Sequence, residues 1–326
     1  MKKWIALAAA IVSLLAAGCP NQSSPASTAK PVQRQELYLA GGQEGGSVLH
    51  TGASLSTLLA NDKPALQVKV LNTNGSVANV ELLRQKKADL ALIQSDVAYE
   101  AQTGSGLFKG RSLANLQLLG TLFQEPVQIL TYDTTRIHSL KDLKGKTVGI
   151  GAAGSGTEMN ARQILWAAGL TDDDIRAQYL SLEDSLKGLK EGTVDAAFVT
   201  SAVPTPALRD LSQQRPLIFI PVQEPVASRL TQKYPFYSTV VVPAGSYPNQ
   251  PQPYSTVAVH CVLVATDSLP AEKTKVILEG IFAHWPELRL DNPGLSENPS
   301  KTFFEDMGIP MAPAAETFYT NREKRS

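Results

Sequence analysis

The sequence predicts an α/β protein of two lobes, each a mainly parallel sheet flanked by helices, with a ligand cleft between the lobes. Three observations predict it. Short apolar runs alternate with segments of helical spacing along most of the 326 residues, the pattern of parallel strands joined by right-handed crossovers. About 290 residues follow a leader-like N-terminus, more than one hydrophobic core usually organises. Residues 83–95 also echo residues 189–201. Each stretch runs from a helix end through an aspartate (Asp89, Asp195) and an apolar strand to a serine at its tip (Ser95, Ser201).

The N-terminus points to export. Met1-Lys2-Lys3 is cationic, and residues 4–17 are apolar but too few to span a bilayer comfortably, so 1–18 reads as a signal peptide. Leu15-Ala16-Ala17-Gly18-Cys19 is similar to a bacterial lipobox, which makes Cys19 the expected lipidated first residue of an extracytoplasmic, membrane-anchored protein. Residues 19–35 are rich in Ser, Pro and Gln and read as a flexible tether. No later stretch is long and apolar enough to cross a membrane, so the expected anchor is lipid alone.

From residue 36 a strand (36–40) enters the glycine cluster of residues 41–46, and a helix follows with Leu55, Leu58 and Leu59 on one face. A strand at 67–71, a helix carrying Val77, Val80, Leu82 and Leu83, and a strand at 89–93 come next. The last is apolar throughout, as a strand covered on both faces should be. Two more strands are expected at 116–123 and 127–131. The second half repeats the order: strand 147–150, loop 151–156, helix 157–168 closed by Gly169, strand 178–180, a helix capped by Ser181 with Asp184 three residues on, and strand 195–199. A Pro/Gly/Asn-rich excursion at 243–253 precedes a last buried strand at 257–265, read as re-entry into the first lobe. The expected lobes are therefore 36–130 plus 256–326, and 131–255.

Composition and motifs exclude several functions. Thirty basic and thirty acidic residues leave a formal net charge of zero, which steers the chain to no nucleic acid. The four histidines (His50, His138, His260, His284) show no metal-ligand spacing, and no GxSxG elbow is present. Asp172-Asp173-Asp174 after Thr171 reads as a helix cap rather than a metal site. Gly149, Gly151 and Gly154 match a dinucleotide fingerprint by letter, but Ser155-Gly156 delays the helix beyond where that fingerprint needs it. Cys261, in an apolar run, reads as a buried hydrophobe, and a lipidated Cys19 leaves it without a disulfide partner. No cofactor, metal or catalytic residue is expected.

What remains is a set of loops that join glycine to small hydroxyls at helix starts: Gly45-Gly46-Ser47, Asn74-Gly75-Ser76 and Gly154-Ser155-Gly156-Thr157. Helix starts present unpaired N–H groups and a partial positive charge, which suit a carboxylate or phosphate. With the polar strand tips they give the expected ligand-binding set: Gly46, Ser47, Ser76, Gln94, Ser95, Ser155, Gly156, Thr157, Glu158 and Thr200.

In this order, residues 74–79, 88–99, Gln124-Glu125-Pro126-Val127, 139–146, 151–158 and 254–265 make the mature chain resemble the TAXI-type solute receptors of TRAP transporters. The resemblance implies a type II periplasmic-binding-protein fold. It further implies a glutamate- or 2-oxoglutarate-like ligand and a partner permease driven by an ion gradient. One departure stands out. Where the family has Gly-Gly-Thr and two tyrosines, this chain has Gly45-Gly46-Ser47-Val48-Leu49, so the tyrosine stacking face is missing. A receptor for an ABC importer, a ligand sensor feeding a histidine kinase, and an exported enzyme with Glu158 as its base are the alternatives. If Cys19 carries the anchor, Cys19→Ser releases soluble or precursor protein. Fractionation with N-terminal mass analysis checks this, and cleavage at another site without modification refutes it.

Overall fold

The computed structural model describes residues 35–62, 66–295 and 308–324. The leader, Cys19 and the tether up to residue 34 lie outside the described residues. In chain order the elements of the first part are β1 (Gln35–Ala40), α1 (Ser47–Asp62), β2 (Leu66–Leu71), α2 (Ser76–Arg84), β3 (Leu90–Gln94), α3 (Ser95–Thr103) and β4 (Leu116–Thr131). Next come β5 (Thr147–Gly149), α4 (Gly156–Ala168), β6 (Arg176–Gln178), α5 (Leu182–Glu191), β7 (Ala196–Thr200), α6 (Pro206–Gln214), β8 (Ile218–Phe219), α7 (Val226–Lys233) and β9 (Ser238–Val242). The chain ends with β10 (Tyr254–Thr266), α8 (Ala271–Ala283), α9 (Trp285–Asp291) and α10 (Pro313–Glu323).

The strands form a curled mixed sheet in the order β2-β1-β3-β10-β4-β7-β5-β6, with β8 beside β4 and β9 beside β10. Its two wings are parallel: β1 pairs with β2 and β3, and β5 pairs with β6 and β7. Its middle is antiparallel, because β4 and β10 run against each other and against β3 and β7. Helices cover both faces of each wing. Leu55, Ile277 and Trp285 (α1, α8, α9) pack on one face of the first wing, and Val80 and Val97 (α2, α3) on the other. Ile164 and Leu230 (α4, α7) face Leu186 and Leu208 (α5, α6) across the second. Double coverage is why β3 is buried at all five positions.

β4 and β10 carry the chain between the wings. Leu119, Leu122 and Phe123 pack in the first wing, whereas Val127 and Ile129 pack in the second. On β10, Val257 and Val259 belong to the second wing and Cys261 and Leu263 to the first. The two strands expected at 116–123 and 127–131 are thus one strand of 16 residues. Gln124-Glu125-Pro126 looks like a break in sequence, but Pro126 stands opposite Ala258 at the edge of the β10 ladder. There the partner of β4 changes to β7, so the missing N–H interrupts little.

The sequence echo is a structural one. Asp89 accepts the Tyr38 N–H at 2.8 Å and gives its own N–H to the Tyr38 carbonyl. Asp195 does the same with Thr147, again at 2.8 Å. Each aspartate therefore fastens the start of its buried strand to the strand beside it. Asp89→Ala and Asp195→Ala should each lower stability by about 1.5 kcal/mol, the scale of a hydrogen bond to a charged group. Urea midpoints at unchanged slope measure it. A loss confined to one of the two shows that the paired roles are not equivalent.

Candidate functional site

Four helices start at the cleft between the wings. Ser47, Ser76, Gly156 and Leu182, the first residues of α1, α2, α4 and α5, all line it. The α2 start depends on Gly75, whose φ of 117° is reached at little cost by glycine and only rarely by residues with a side chain. Asn79 holds the floor in place: its buried Nδ2 donates to the carbonyls of Ala40, Gly41 and Leu92 and so ties the ends of β1 and β3.

The wings touch directly. Ser47 Oγ lies 2.7 Å from Ser201 Oγ and accepts the Ala202 N–H at 3.0 Å. Gln43 accepts the Leu182 N–H at 2.6 Å and donates to the Asn74 carbonyl at 2.9 Å. Between these contacts a cavity of about 70 Å³ remains. Leu92, Leu180 and Phe198 supply apolar wall; among the described residues Glu125 is the one charged-type side chain lining it, and no Lys, Arg or His does.

Eight of the residues expected from sequence line this cavity: Gly46, Ser47, Ser76, Gln94, Ser155, Gly156, Thr157 and Thr200. Two do not. Ser95 turns its hydroxyl to the His260 N–H at 3.2 Å, joining α3 to β10. Glu158 accepts the Gly154 N–H at 2.8 Å and pairs with Arg162, so it closes the loop ahead of α4. Among those that do line it, Ser155 caps α4 through the Glu158 N–H, Ser76 accepts the Gln94 N–H at 3.0 Å, and Thr157 accepts the Thr200 N–H at 3.3 Å. The expected ligand-binding set left out Gln43, Glu125, Ser185 and Ser201, of which Ser201 had a signal in the echo and Glu125 in the stretch Gln124-Glu125-Pro126-Val127.

Behind the cavity lies a buried polar network. Asn160 Nδ2 donates to Asp96 at 2.8 Å and to Tyr237 at 2.7 Å, while its Oδ1 accepts from Gln94 Nε2 and from Thr200, both at 3.0 Å. Gln94 Oε1 then presses on Gly156, only 1.3 Å from where a Cβ would stand. Burial raises the Asp96 carboxyl to about 7, although the Val97 N–H and Asn160 favour its charged form. Burial, with the Asp96 charge adding to it, raises Glu125 to about 8.

Two wings joined by a pair of antiparallel crossing strands, with helix starts converging on the cleft between them, define the class of periplasmic-binding-protein-like folds. Solved structures of similar fold agree. The alkanesulfonate-binding protein SsuA from Xanthomonas axonopodis pv. citri, bound to MOPS, is 16% identical, with a TM-score of 0.51 over 87% of this chain and 83% of that one. A structure described as a periplasmic transporter is 13% identical, with a TM-score of 0.57 over 91% and 95%. An ABC uptake transporter substrate-binding protein from Streptococcus pneumoniae with bound histidine is 12% identical, with a TM-score of 0.50 over 81% and 95%. Residues 39–323 match the NMT1-like family, and the chain belongs to it.

The two raised carboxyls give the site a pH signature. Unfolded, both titrate near 4; folded, they hold their protons up to about 7 and about 8. The folded chain therefore binds more protons between those limits, and stability falls as pH rises through them. Asp96→Asn keeps an acceptor toward Asn160, removes one titration and should flatten the fall. Urea midpoints at pH 5 and pH 8 test this, and an equal fall in the variant places the dependence elsewhere.

Proposed function

We propose that the chain is an extracytoplasmic solute-binding receptor that captures a small anionic or zwitterionic solute and hands it to a membrane permease. Glutamate and C4–C5 dicarboxylates or 2-oxoacids are the solutes of that size and charge. The observation that carries the reading is the convergence of four helix starts, with their hydroxyls, on one cleft. Their N–H groups and dipoles favour an anion without a formal positive charge. No helix among the described residues is long and apolar enough to cross a membrane, which fits a protein held by lipid at Cys19.

Capture would proceed by closure. The cavity of about 70 Å³ leaves little room for entry while Ser47 and Ser201 are bonded, so the wings part to admit the solute. Bending falls where the packing of β4 and β10 changes wing, around 124–126 and 260, a few residues from the expected lobe boundaries at 130/131 and 255/256. The motif resemblance favours a TRAP permease of the TAXI type as the partner. A second reading, a receptor for an ABC importer, draws on the substrate-binding protein from Streptococcus pneumoniae, which shares the fold. Uptake by cells carrying the neighbouring permease separates the two: dependence on an ion gradient supports the first, and dependence on ATP the second.

A ligand at 100 times its Kd should stabilise the protein by about 2.7 kcal/mol, a melting shift of several degrees. A flat response across organic acids, amino acids and phosphonates would sink the receptor reading. Thr157→Ala, which strips a hydroxyl from the cleft, should weaken the responding ligand roughly tenfold. Affinity equal to the parent's would reduce Thr157 to a scaffold role.

A further inference from the structure

The helix starts account for one end of a ligand only. We propose that the cleft contains a second, opposite subsite in which Glu125, Gln94 Oε1 and Ser185 Oγ receive an ammonium group, so that the preferred solute is a zwitterion and not a plain acid. This deepens the receptor reading and rests on it.

Three polar atoms lining the cavity have no hydrogen-bond partner: Glu125 Oε2, Gln94 Oε1 and Ser185 Oγ. Their residues are 1%, 4% and 1% exposed. Buried polar atoms are almost always paired, and each one left over calls for a partner. All three residues line the same cavity of about 70 Å³.

The chemistry of that partner follows from the network behind the cavity. Tyr237 donates its hydroxyl proton to Gln163 and so can only accept from Asn160. Asn160 therefore turns Nδ2 toward Tyr237 and Asp96 and leaves Oδ1 for Thr200 and Gln94. Gln94 must donate Nε2 to it, which leaves Oε1 as a pure acceptor at the cleft. The missing partner is a donor. An ammonium carries three N–H donors and a positive charge, matching Gln94 Oε1, the Ser185 hydroxyl oxygen and, once it gives up its proton, the Glu125 carboxylate.

The surroundings of Glu125 point the same way. Asp96 from α3 and the Cys261 thiol from β10 are the titratable groups whose fields couple to it; Glu100 and Tyr237 couple in turn to Asp96. Among the described residues none that lines the cavity is cationic. Uncompensated, the carboxyl keeps its proton up to about pH 8. An ammonium beside it stabilises the carboxylate, and the proton leaves to solvent. Glu158, the acid in the ligand-binding set expected from sequence, is bound to Gly154 and Arg162 instead.

The test compares solutes that differ only by the amine: glutamate against glutarate, and 2-aminoethanesulfonate against ethanesulfonate. Titration calorimetry on the parent protein should show at least about tenfold tighter binding of the amine-bearing member of a pair. In Glu125→Gln, a near-isosteric change, that preference should collapse toward unity. At pH 7, in buffers of different ionisation enthalpy, the amine-bearing solute should release protons from the parent and none from Glu125→Gln. If the plain acid binds the parent equally or better, without proton release, this subsite is wrong while the receptor reading stands, and Glu125 is a neutral donor to an acid. Preference unchanged in a folded Glu125→Gln also overturns it. If no member of either pair binds, the receptor reading falls for these acids and the subsite with it.

Discussion

The orientation of one buried amide governs most of the cleft. Asn160 is fully buried on α4 and meets four side chains from both wings: Asp96, Tyr237, Thr200 and Gln94. An amide has two donors and an acceptor with two lone pairs, and this one uses its Nδ2 toward Asp96 and Tyr237 and both lone pairs of Oδ1. Reversing it would set Oδ1 against a carboxyl and against a tyrosine hydroxyl whose proton is already given to Gln163, and Nδ2 against the Gln94 amide donor. The Asn160 amide is therefore fully satisfied in one orientation, and in a low-dielectric interior the reverse is costly. That arrangement fixes Gln94, Gln94 Oε1 fills the space over Gly156, and only glycine allows the α4 start to approach so closely.

In the receptor proposed here, the cleft attracts anions by geometry instead of by formal charge. A lysine or arginine there would pair with Glu125 and leave less field for a ligand. Helix starts supply fixed partial charges that neither titrate nor reach across to neutralise a carboxyl. The two kinds of polarity can then coexist in one small space: backbone donors on one side, an uncompensated acid on the other. The present closed arrangement partly satisfies the donors from across the cleft, since Gln43 takes the Leu182 N–H and Ser201 takes that of Ser47. The acceptors of Glu125, Gln94 and Ser185 have no such substitute.

Much of this architecture was legible in the sequence because it is local. The glycine-hydroxyl loops signal helix starts through cap chemistry at fixed spacing, and Ser155 and Ser181 do cap α4 and α5. The echo around Asp89 and Asp195 was visible for the same reason, a repeated strand start. The residues that were not legible act at long range. Asn160 reads as an ordinary polar position on an amphipathic helix until Asp96, 64 positions away, is beside it. Glu125 was hidden by Pro126, which made a continuous strand look like two strands and a linker. Glu158 misled in the opposite direction: an acid in the first turn of a helix is as often a local cap as a ligand contact, and here Gly154 and Arg162 claim it.

If Glu125 receives the solute as proposed, its placement couples recognition to motion. It lies where β4 leaves one wing for the other, between Phe123, packed in the first, and Val127, packed in the second. A carboxyl at a strand crossing would then sense both the solute and the closing of the wings, because closure would remove the water that otherwise solvates it. With the cleft open, water stabilises the charge; with it closed and empty, only protonation does; with it closed on a cation, the charge is held by the ligand. Closure around the wrong solute is thus disfavoured by the same desolvation that favours closure around the right one. A residue on a wall of either wing would recognise the solute equally well but would not tie that recognition to the crossing strands.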